Sequence, residues 1–312
     1  MMGDFMDNIE KLAGLADAYS CGGASIEVRR SEPLCRHTTF RIGGAAELFL
    51  IPNNETALIA AIGFAKDAGV RHMVIGNGSN LLFDDEGYHG AVISTSGLCD
   101  IRIEENTIKA GAGAQLINVC KAARDAGLSG LEFAYGIPGS VGGAVYMNAG
   151  AYGGEMSGVV ESSTYLEQSE LTVHTLSASE HNYGYRDSSY KHSDRIILSA
   201  SFSLKPGDSR EIGRSMTDYM GRRIDKQPLE YPSAGSVFKR CPGHYTGQMI
   251  EESGLKGYSV GGAQISEKHA GFIVNRGNAT AADVLSLVEF IQKTIKERYG
   301  CELECEVIYV KP

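Results

Sequence analysis

Residues 136–152, GIPGSVGGAVYMNAGAY, crowd five glycines, one proline and small side chains into an essentially uncharged run. A solvated linker would carry polar and charged residues. Glycine packs no side chain and loses more backbone freedom on folding than any other residue. A run this dense therefore belongs where backbone must approach something closely or adopt positive φ. Two structures meet that demand: a tight crossing of two backbones, or a loop whose N–H groups face a phosphate or a flat ring.

A chain of 312 residues exceeds one ordinary core, so two or three domains are expected. With 43% hydrophobic and 21% charged residues, it falls among globular proteins. A net charge of -9 without a basic stripe argues against a general nucleic-acid binder. The longest apolar runs, such as residues 48–51, are strand-sized, so no membrane span is expected. Asp4, Asp7 and Glu10 replace the basic flank of a secretory signal, which points to a cytoplasmic protein. The seven cysteines contain no CxxC pair and are read as reduced thiols, Cys301 and Cys305 serving packing. The eight histidines form no HxH or HExxH arrangement, so no metal is expected.

Phe5, Met6, Ile9, Leu12 and Ala16 recur at helical spacing and predict an opening amphipathic helix. A strand over residues 45–51 precedes a helix capped by Asn54, faced by Leu58, Ile59, Ile62 and Ala65, and ended at Gly69. Residues 73–75 read as a buried strand running into Gly76-Asn-Gly-Ser-Asn80, an α/β unit with a glycine turn at the strand's carboxyl end. Leu81 stands where GxGxxG needs its third glycine, and Gly111-Ala-Gly113 fails likewise at Leu116, which excludes a standard Rossmann dehydrogenase.

Strands at 101–103 and 108–110 and a helix over 115–126 follow, then short alternating segments over 159–204. Asp208 and Glu211 suggest a capping box for a helix ending before Pro228. Residues 231–240, YPSAGSVFKR, read as a second small-residue loop before a helix near 248–252. Thr280 caps the cleanest helix, lined by Val284, Leu287, Val288, Ile291 and Ile295 and closed by Gly300. A last strand puts Leu303, Cys305, Val307 and Tyr309 on one face and Glu306 on the other, where acidic residues give way to apolar ones.

Six motifs in order carry a resemblance: GNGSNLL (76–82), GIPGSVGGAVYMNAGAYGGEM (136–156), YRDSSYK (185–191), YPSAGSVFKR (231–240), KHAGFIVN (268–275) and LECEV (303–307). Over residues 37–310 the chain resembles the UDP-N-acetylenolpyruvoylglucosamine reductase family, in its shorter type II subtype. The resemblance implies an α+β architecture: a two-subdomain FAD-binding fold of the vanillyl-alcohol-oxidase type plus a C-terminal α+β substrate-binding domain. The implied division is an N-terminal helical segment at 1–35, FAD subdomains at 36–95 and 96–204, and the substrate domain at 205–312. Bound FAD, NADPH as co-substrate, UDP-N-acetylglucosamine enolpyruvate as substrate, and a monomer or weak oligomer are implied with it.

By motif match, FAD would be met by Arg41, Gly76, Asn77, Gly78, Ser79, Asn80, Leu81, Gly136, Pro138, Gly139, Ser140, Gly142, Gly143, Ala144 and Asn148. Small residues leave backbone N–H groups open to an anionic pyrophosphate, which agrees with that match. The implied reaction turns an enolpyruvyl ether into a lactyl ether, with hydride added at C3 and a proton at C2. Ser236 would deliver the proton, while Arg186 and Glu306, the latter in its acid form, would stabilise the charge building on the substrate carboxylate. Lys239 is near enough in sequence to assist Ser236. Tyr152, Tyr185, Lys226, Lys239, Gln264 and His269, with Arg222 nearby, are candidates for the uridine diphosphate and substrate carboxylate.

The family usually has arginine after Glu-Val where this chain has Ile308, and proline where it has Cys241. Taken singly, Ser236 is a loop serine, Arg186 a surface ion-pair residue and Glu306 a strand carboxylate. Two other readings share the features. One is an FAD-dependent oxidase on the same scaffold, and the other is a non-catalytic nucleotide-sugar binding protein.

Overall fold

A computed structural model describes residues 2–241 and 243–312, and only the backbone of residues 2–6. The chain forms two compact units, each discontinuous in sequence. The first comprises Met1–Glu32, Glu47–Asn77 and Gly90–Gly221, and the second Pro33–Ala46, Gly78–His89 and Arg222–Pro312.

In the first unit, the helix Met2–Asp17 buries Ile9, Leu12, Ala13 and Ala16; the expected Phe5 and Met6 side chains lie outside the described residues. Asn54 opens the helix Glu55–Asp67 by accepting the Ala57 N–H, and Gly69 follows it at φ +64°. This helix buries Ala57, Leu58, Ala61, Ile62 and Ala65 in a core shared with Leu48, Leu50, Ala91 and Ile93. His72–Ile75 runs parallel to Tyr88–Ser94, Met73 opposite Val92. Only Ile75 of residues 73–75 is fully buried, a correction to the expected buried strand.

An antiparallel sheet follows in the order Thr172–Ser177, Val160–Glu167, Arg195–Ser203, Thr107–Gly111, Ile101–Glu104. One of its faces meets the helices Leu116–Asp125 and Val141–Tyr146 over a core of Ile108, Leu116, Val119, Val141, Val145 and Phe202. The glycine-dense run thus contains a one-and-a-half-turn helix between its loops.

Beside that core lies a buried polar chain. His181 Nδ1 is 3.3 Å from the Ala178 carbonyl, which can only accept, so Nδ1 carries the proton. Nε2 then accepts the Ser163 hydroxyl at 2.7 Å, and Ser163 Oγ accepts the Tyr190 hydroxyl at 2.6 Å. Burial lowers the His181 pKa below its ordinary 6.5.

The second unit holds an antiparallel sheet in the order Ser233–Ser236, Phe272–Asn275, Ala263–Ile265, Ser259–Val260. The helix Ala281–Tyr299 starts at a Thr280–Asp283 capping box, ends at Gly300 in the left-handed region, and buries the expected face. Phe40, Ile42, Leu82, Ile250, Ile265, Leu287, Ile291 and Leu303 fill the core. Ile308–Val310 pairs in parallel with Leu81–Phe83, Ile308 opposite Leu81. The terminal strand is shorter than expected, although Leu303, Cys305, Val307 and Tyr309 do pack on one core. Part of residues 231–240 is sheet rather than loop. Asp208 Oδ1 accepts the N–H groups of Arg210 and Glu211 at the start of the helix Ser209–Lys226.

The cysteines require a correction. Cys241 and Cys301 form a disulfide, with Cα atoms 6.8 Å apart. Spacing in sequence could not pair residues 60 positions apart. Cys21, Cys35, Cys99, Cys120 and Cys305 are free.

Two outcomes follow. Because the unfolded chain protonates His181 more readily than the folded one, stability should fall as pH drops below about 6.5; His181→Gln should weaken that dependence in melts recorded across pH. Opening a loop of this length should remove about 4 kcal/mol in the chain-entropy account. Denaturant titrations with and without a dithiol reductant check it.

Candidate functional site

Residues 237–239, which follow Ser236, pair through their backbone with residues 304–306, which end at Glu306, in the second unit. Phe238 lies antiparallel to Cys305, the Lys239 N–H donates to the Glu304 carbonyl at 2.9 Å, and the Glu306 N–H donates to the Val237 carbonyl at 2.8 Å. Ser236 ends an edge strand whose register shifts between Ser233 and Ser236, where one extra residue is inserted opposite Phe272–Asn275. Gly235 occupies the shift at φ +79°, a conformation that a β-carbon disfavours. Such a bulge turns the next side chain away from the regular alternation. Ser236 and Glu306 are both half-buried.

The glycine turn joins the same place. Asn80 Nδ2 donates to the Glu306 carbonyl at 2.9 Å, and the Ile308 N–H returns to the Asn80 carbonyl at 2.9 Å. Thr39 Oγ1 donates to the Ser233 carbonyl at 2.7 Å, and its N–H approaches the Gly78 carbonyl at 3.4 Å. Gly78 sits at φ +60°, and a β-carbon there would lie 2.0 Å from the His37 carbonyl oxygen. Ser79 is half-buried in this turn, and Leu81 starts the strand beyond it. Arg41 is exposed at φ +56°, with Asn275 Nδ2 donating to the neighbouring Phe40 carbonyl at 3.2 Å.

The unit boundary falls within the turn, so Gly76 and Asn77 belong to the first unit. Asn77 Nδ2 donates to the Pro138 carbonyl at 2.6 Å, and a β-carbon on Gly76 would lie 2.1 Å from Ser140 Oγ. Backbone bonds zip residues 112–116 to 139–142: Leu116 N–H to Gly139, Val141 N–H to Ala114, and Gly142 N–H to Ala112, at 2.8–3.0 Å. The tight backbone crossing therefore exists. Beside it opens a cavity of about 220 Å³ lined by Gly76, Asn77, Thr95, Ser96, Gly113, Gln115 and Asn118. The lining contains no acidic side chain and is rich in small groups and hydrogen-bond donors, which suits the diphosphate part of a dinucleotide. Gly143 is exposed at this end, Gly136 and Gly139 are half-buried, and Ser140 and Ala144 are buried.

Thr95, Ser96, Gly113, Gln115 and Asn118 were missed from the sequence. Thr95 and Ser96 follow the carboxyl end of the strand parallel to His72–Ile75, where ligands of α/β sheets collect, so that position was their available signal.

Arg186 also lies in the first unit, half-buried, its Nη2 donating to the Gly150 carbonyl at 3.3 Å. Tyr185 beside it is 50% exposed, with the guanidinium carbon 5.5 Å from its ring centre. Tyr152 stacks on Tyr219 with centroids 4.8 Å apart. Asn148 is buried, its amide bonded to Gly184 and Ser157.

Among the described residues, nine non-glycines have positive φ, and four of them are the expected site residues Arg41, Asn148, Tyr152 and Arg186. Each such conformation costs about 1–3 kcal/mol and persists only where its surroundings enforce it.

The remaining candidates occupy separate elements of the second unit. Lys226 is exposed in the last turn of its helix, and the Lys239 ammonium is paired with the exposed Glu304 carboxylate. Gln264 Nε2 donates to the Gly257 carbonyl at 3.1 Å. His269 Nδ1 accepts the Gly271 N–H at 3.1 Å, and burial lowers its pKa, leaving a neutral imidazole at neutral pH.

Gly78→Ala forces backbone against backbone. It should destabilise the protein by about 1–3 kcal/mol, read by thermal melting.

Residues 46–171 match the FAD binding domain family, and residues 227–310 match the C-terminal domain of UDP-N-acetylenolpyruvoylglucosamine reductase. A UDP-N-acetylenolpyruvoylglucosamine reductase of Caldanaerobacter subterraneus subsp. tengcongensis is 47% identical over 89% of this chain and 91% of its own length. One from Caldicellulosiruptor bescii is 46% identical over 92% of each. The crystal structure of the Thermus caldophilus UDP-N-acetylenolpyruvylglucosamine reductase superposes with a TM-score of 0.77 at 35% identity, covering 92% of this chain and 99% of that one. The fold is accordingly an α+β FAD-binding fold followed by a C-terminal α+β domain. With these similarities spanning nearly its whole length, the chain belongs to the UDP-N-acetylenolpyruvoylglucosamine reductase family.

Proposed function

We propose that this protein is an FAD-dependent reductase that converts UDP-N-acetylglucosamine enolpyruvate and NADPH, with one proton, to UDP-N-acetylmuramate and NADP⁺ in peptidoglycan precursor synthesis. Family membership supports the activity. The observation that supports the chemical assignment is the backbone ladder that pairs residues 237–239, directly after Ser236, with residues 304–306.

The cavity at Gly76, Asn77, Thr95, Ser96, Gly113 and Gln115 would hold the diphosphate of FAD. When bound, the flavin supplies the hydride that reaches C3 of the substrate. Ser236, turned out by the bulge at Gly235, gives its hydroxyl proton to C2. Arg186 offers a fixed positive charge to the substrate carboxylate as the C2 carbanion delocalises into it. Glu306, in its acid form, adds a hydrogen bond to the same developing charge. Tyr152, Tyr185, Lys226, Gln264 and His269 are proposed contacts of the nucleotide sugar. Lys239, paired with Glu304, would have to leave that carboxylate to join them.

The functional division at 36–95, 96–204 and 205–312, a monomeric or weakly associating state and a cytoplasmic location belong to the same reading. Among the described residues no helix is long and apolar enough to cross a membrane.

The decisive test is an anaerobic half-reaction. Flavin is reduced with one equivalent of NADPH, UDP-N-acetylglucosamine enolpyruvate is added, and the flavin absorbance is followed. The oxidised spectrum should return within seconds in the wild type and about 10²–10⁴-fold more slowly in Ser236→Ala. Flavin that stays reduced until air is admitted would instead support an oxidase.

A further inference from the structure

Arg186 is the second residue of a two-residue turn closed by paired backbone bonds: Gly184 N–H to Asp187 at 3.0 Å, and Asp187 N–H to Gly184 at 3.2 Å. Its φ of +54° is a conformation that its β-carbon opposes, so the turn has to be held from outside. Three side chains hold it. Lys191 Nζ donates to the Arg186 carbonyl at 3.0 Å, Ser188 Oγ to the Tyr146 carbonyl at 2.7 Å, and Asn148 Nδ2 to the Gly184 carbonyl at 2.9 Å.

Asn148 is the most constrained of the three. It is 1% exposed, takes φ +43°, and accepts the Ser157 N–H on Oδ1 at 2.9 Å. A carbonyl on one side and an N–H on the other fix which way the amide faces. Two residues further on, the Gly150 carbonyl receives the Arg186 guanidinium at 3.3 Å. The segment after the helix Val141–Tyr146 therefore grips Arg186 twice, by its turn through Asn148 and by its charged end through Gly150.

We infer that Asn148 is a positioning residue for Arg186, which sets the direction of the guanidinium through the Gly184 carbonyl, rather than a contact of the flavin. The inference rests on the charge-stabilising role given to Arg186 above. It explains why the residue is asparagine. The position needs a side chain that tolerates a left-handed backbone and offers a donor and an acceptor about one amide width apart.

Two variants separate the backbone from the hydrogen bonds. Asn148→Gly keeps the left-handed conformation without strain and deletes both side-chain bonds. Asn148→Asp keeps the acceptor for Ser157 but presents a second oxygen to the Gly184 carbonyl, unless the carboxyl is protonated. Both are compared with the wild type and Arg186→Ala as FAD-loaded full chains, well below their melting temperatures.

The expected result is flavin reoxidation by UDP-N-acetylglucosamine enolpyruvate slowed about 10–100-fold in Asn148→Gly, the penalty of a small misplacement of a charge-stabilising group. NADPH reduction of the flavin, the flavin spectrum and FAD affinity should be unchanged. Asn148→Asp should be similarly slow at neutral pH and should recover relative to wild type as the pH is lowered, which a loss of stability alone would not produce. Wild-type reoxidation in Asn148→Gly beside a slow Arg186→Ala overturns this inference while leaving the function intact, as does loss of FAD from both Asn148 variants. Wild-type reoxidation in Arg186→Ala removes the role of Arg186 and this inference together.

Discussion

Backbone pairing between residues 237–239 and 304–306 is the constraint on which the chemistry proposed for the second unit depends. It does not involve the reactive atoms. It fixes the backbone that follows Ser236 against the backbone that leads to Glu306, without either side chain having to hold the other. The bulge at Gly235 breaks the regular side-chain alternation just before Ser236. The Asn80 amide ties the glycine turn to the Glu306 carbonyl, so the turn and the Glu306 backbone cannot drift apart independently. Reacting groups placed by backbone bonds are better preorganised than groups on long free side chains, because fewer rotors must be frozen.

The first unit solves its own problem by the opposite means, close approach rather than a ladder of opposed side chains. Residues 139–142 lie against 112–116 with almost no side chain between them, and the space left beside that crossing is the polar cavity. Of the two readings of the glycine-dense run, the tight crossing of two backbones is the one these bonds display. Two of the strained non-glycine residues have the same kind of neighbour. Arg41 has Asn275 at its flank and Arg186 has Asn148, each a buried amide spanning two pieces of chain.

Much of this was legible in the sequence because it is local. Asn54, Asp208, Thr280 and Gly300 announce helix ends through bonds to residues three or four positions away, and all four do so in the structure. The apolar periodicity of Ala281–Tyr299 named its buried face. What stayed hidden is long-range. Neither the pairing of Cys241 with Cys301 nor the bond from Asn80 to Glu306, 226 residues away, leaves a trace in spacing. The strand inside residues 231–240 was read as loop because its pairing partner, Phe272–Asn275, lies far along the chain and its own small residues carry little strand propensity. Thr95, Ser96 and Asn118 are ordinary polar residues until a fold gathers them around one cavity.

The discontinuity of the second unit sets an order of events on the ribosome. Residues 33–46 and 78–89 are made early, yet the core into which Phe40, Ile42 and Leu82 are buried is built mostly from residues after 222. Leu81–Phe83 cannot find its parallel neighbour until Ile308–Val310, at the end of this chain, has been synthesised. A domain completed by residues 308–310 cannot finish folding before they emerge. These apolar segments must wait while more than a hundred intervening residues are made, and any truncation before residue 308 leaves Leu81–Phe83 without its parallel neighbour.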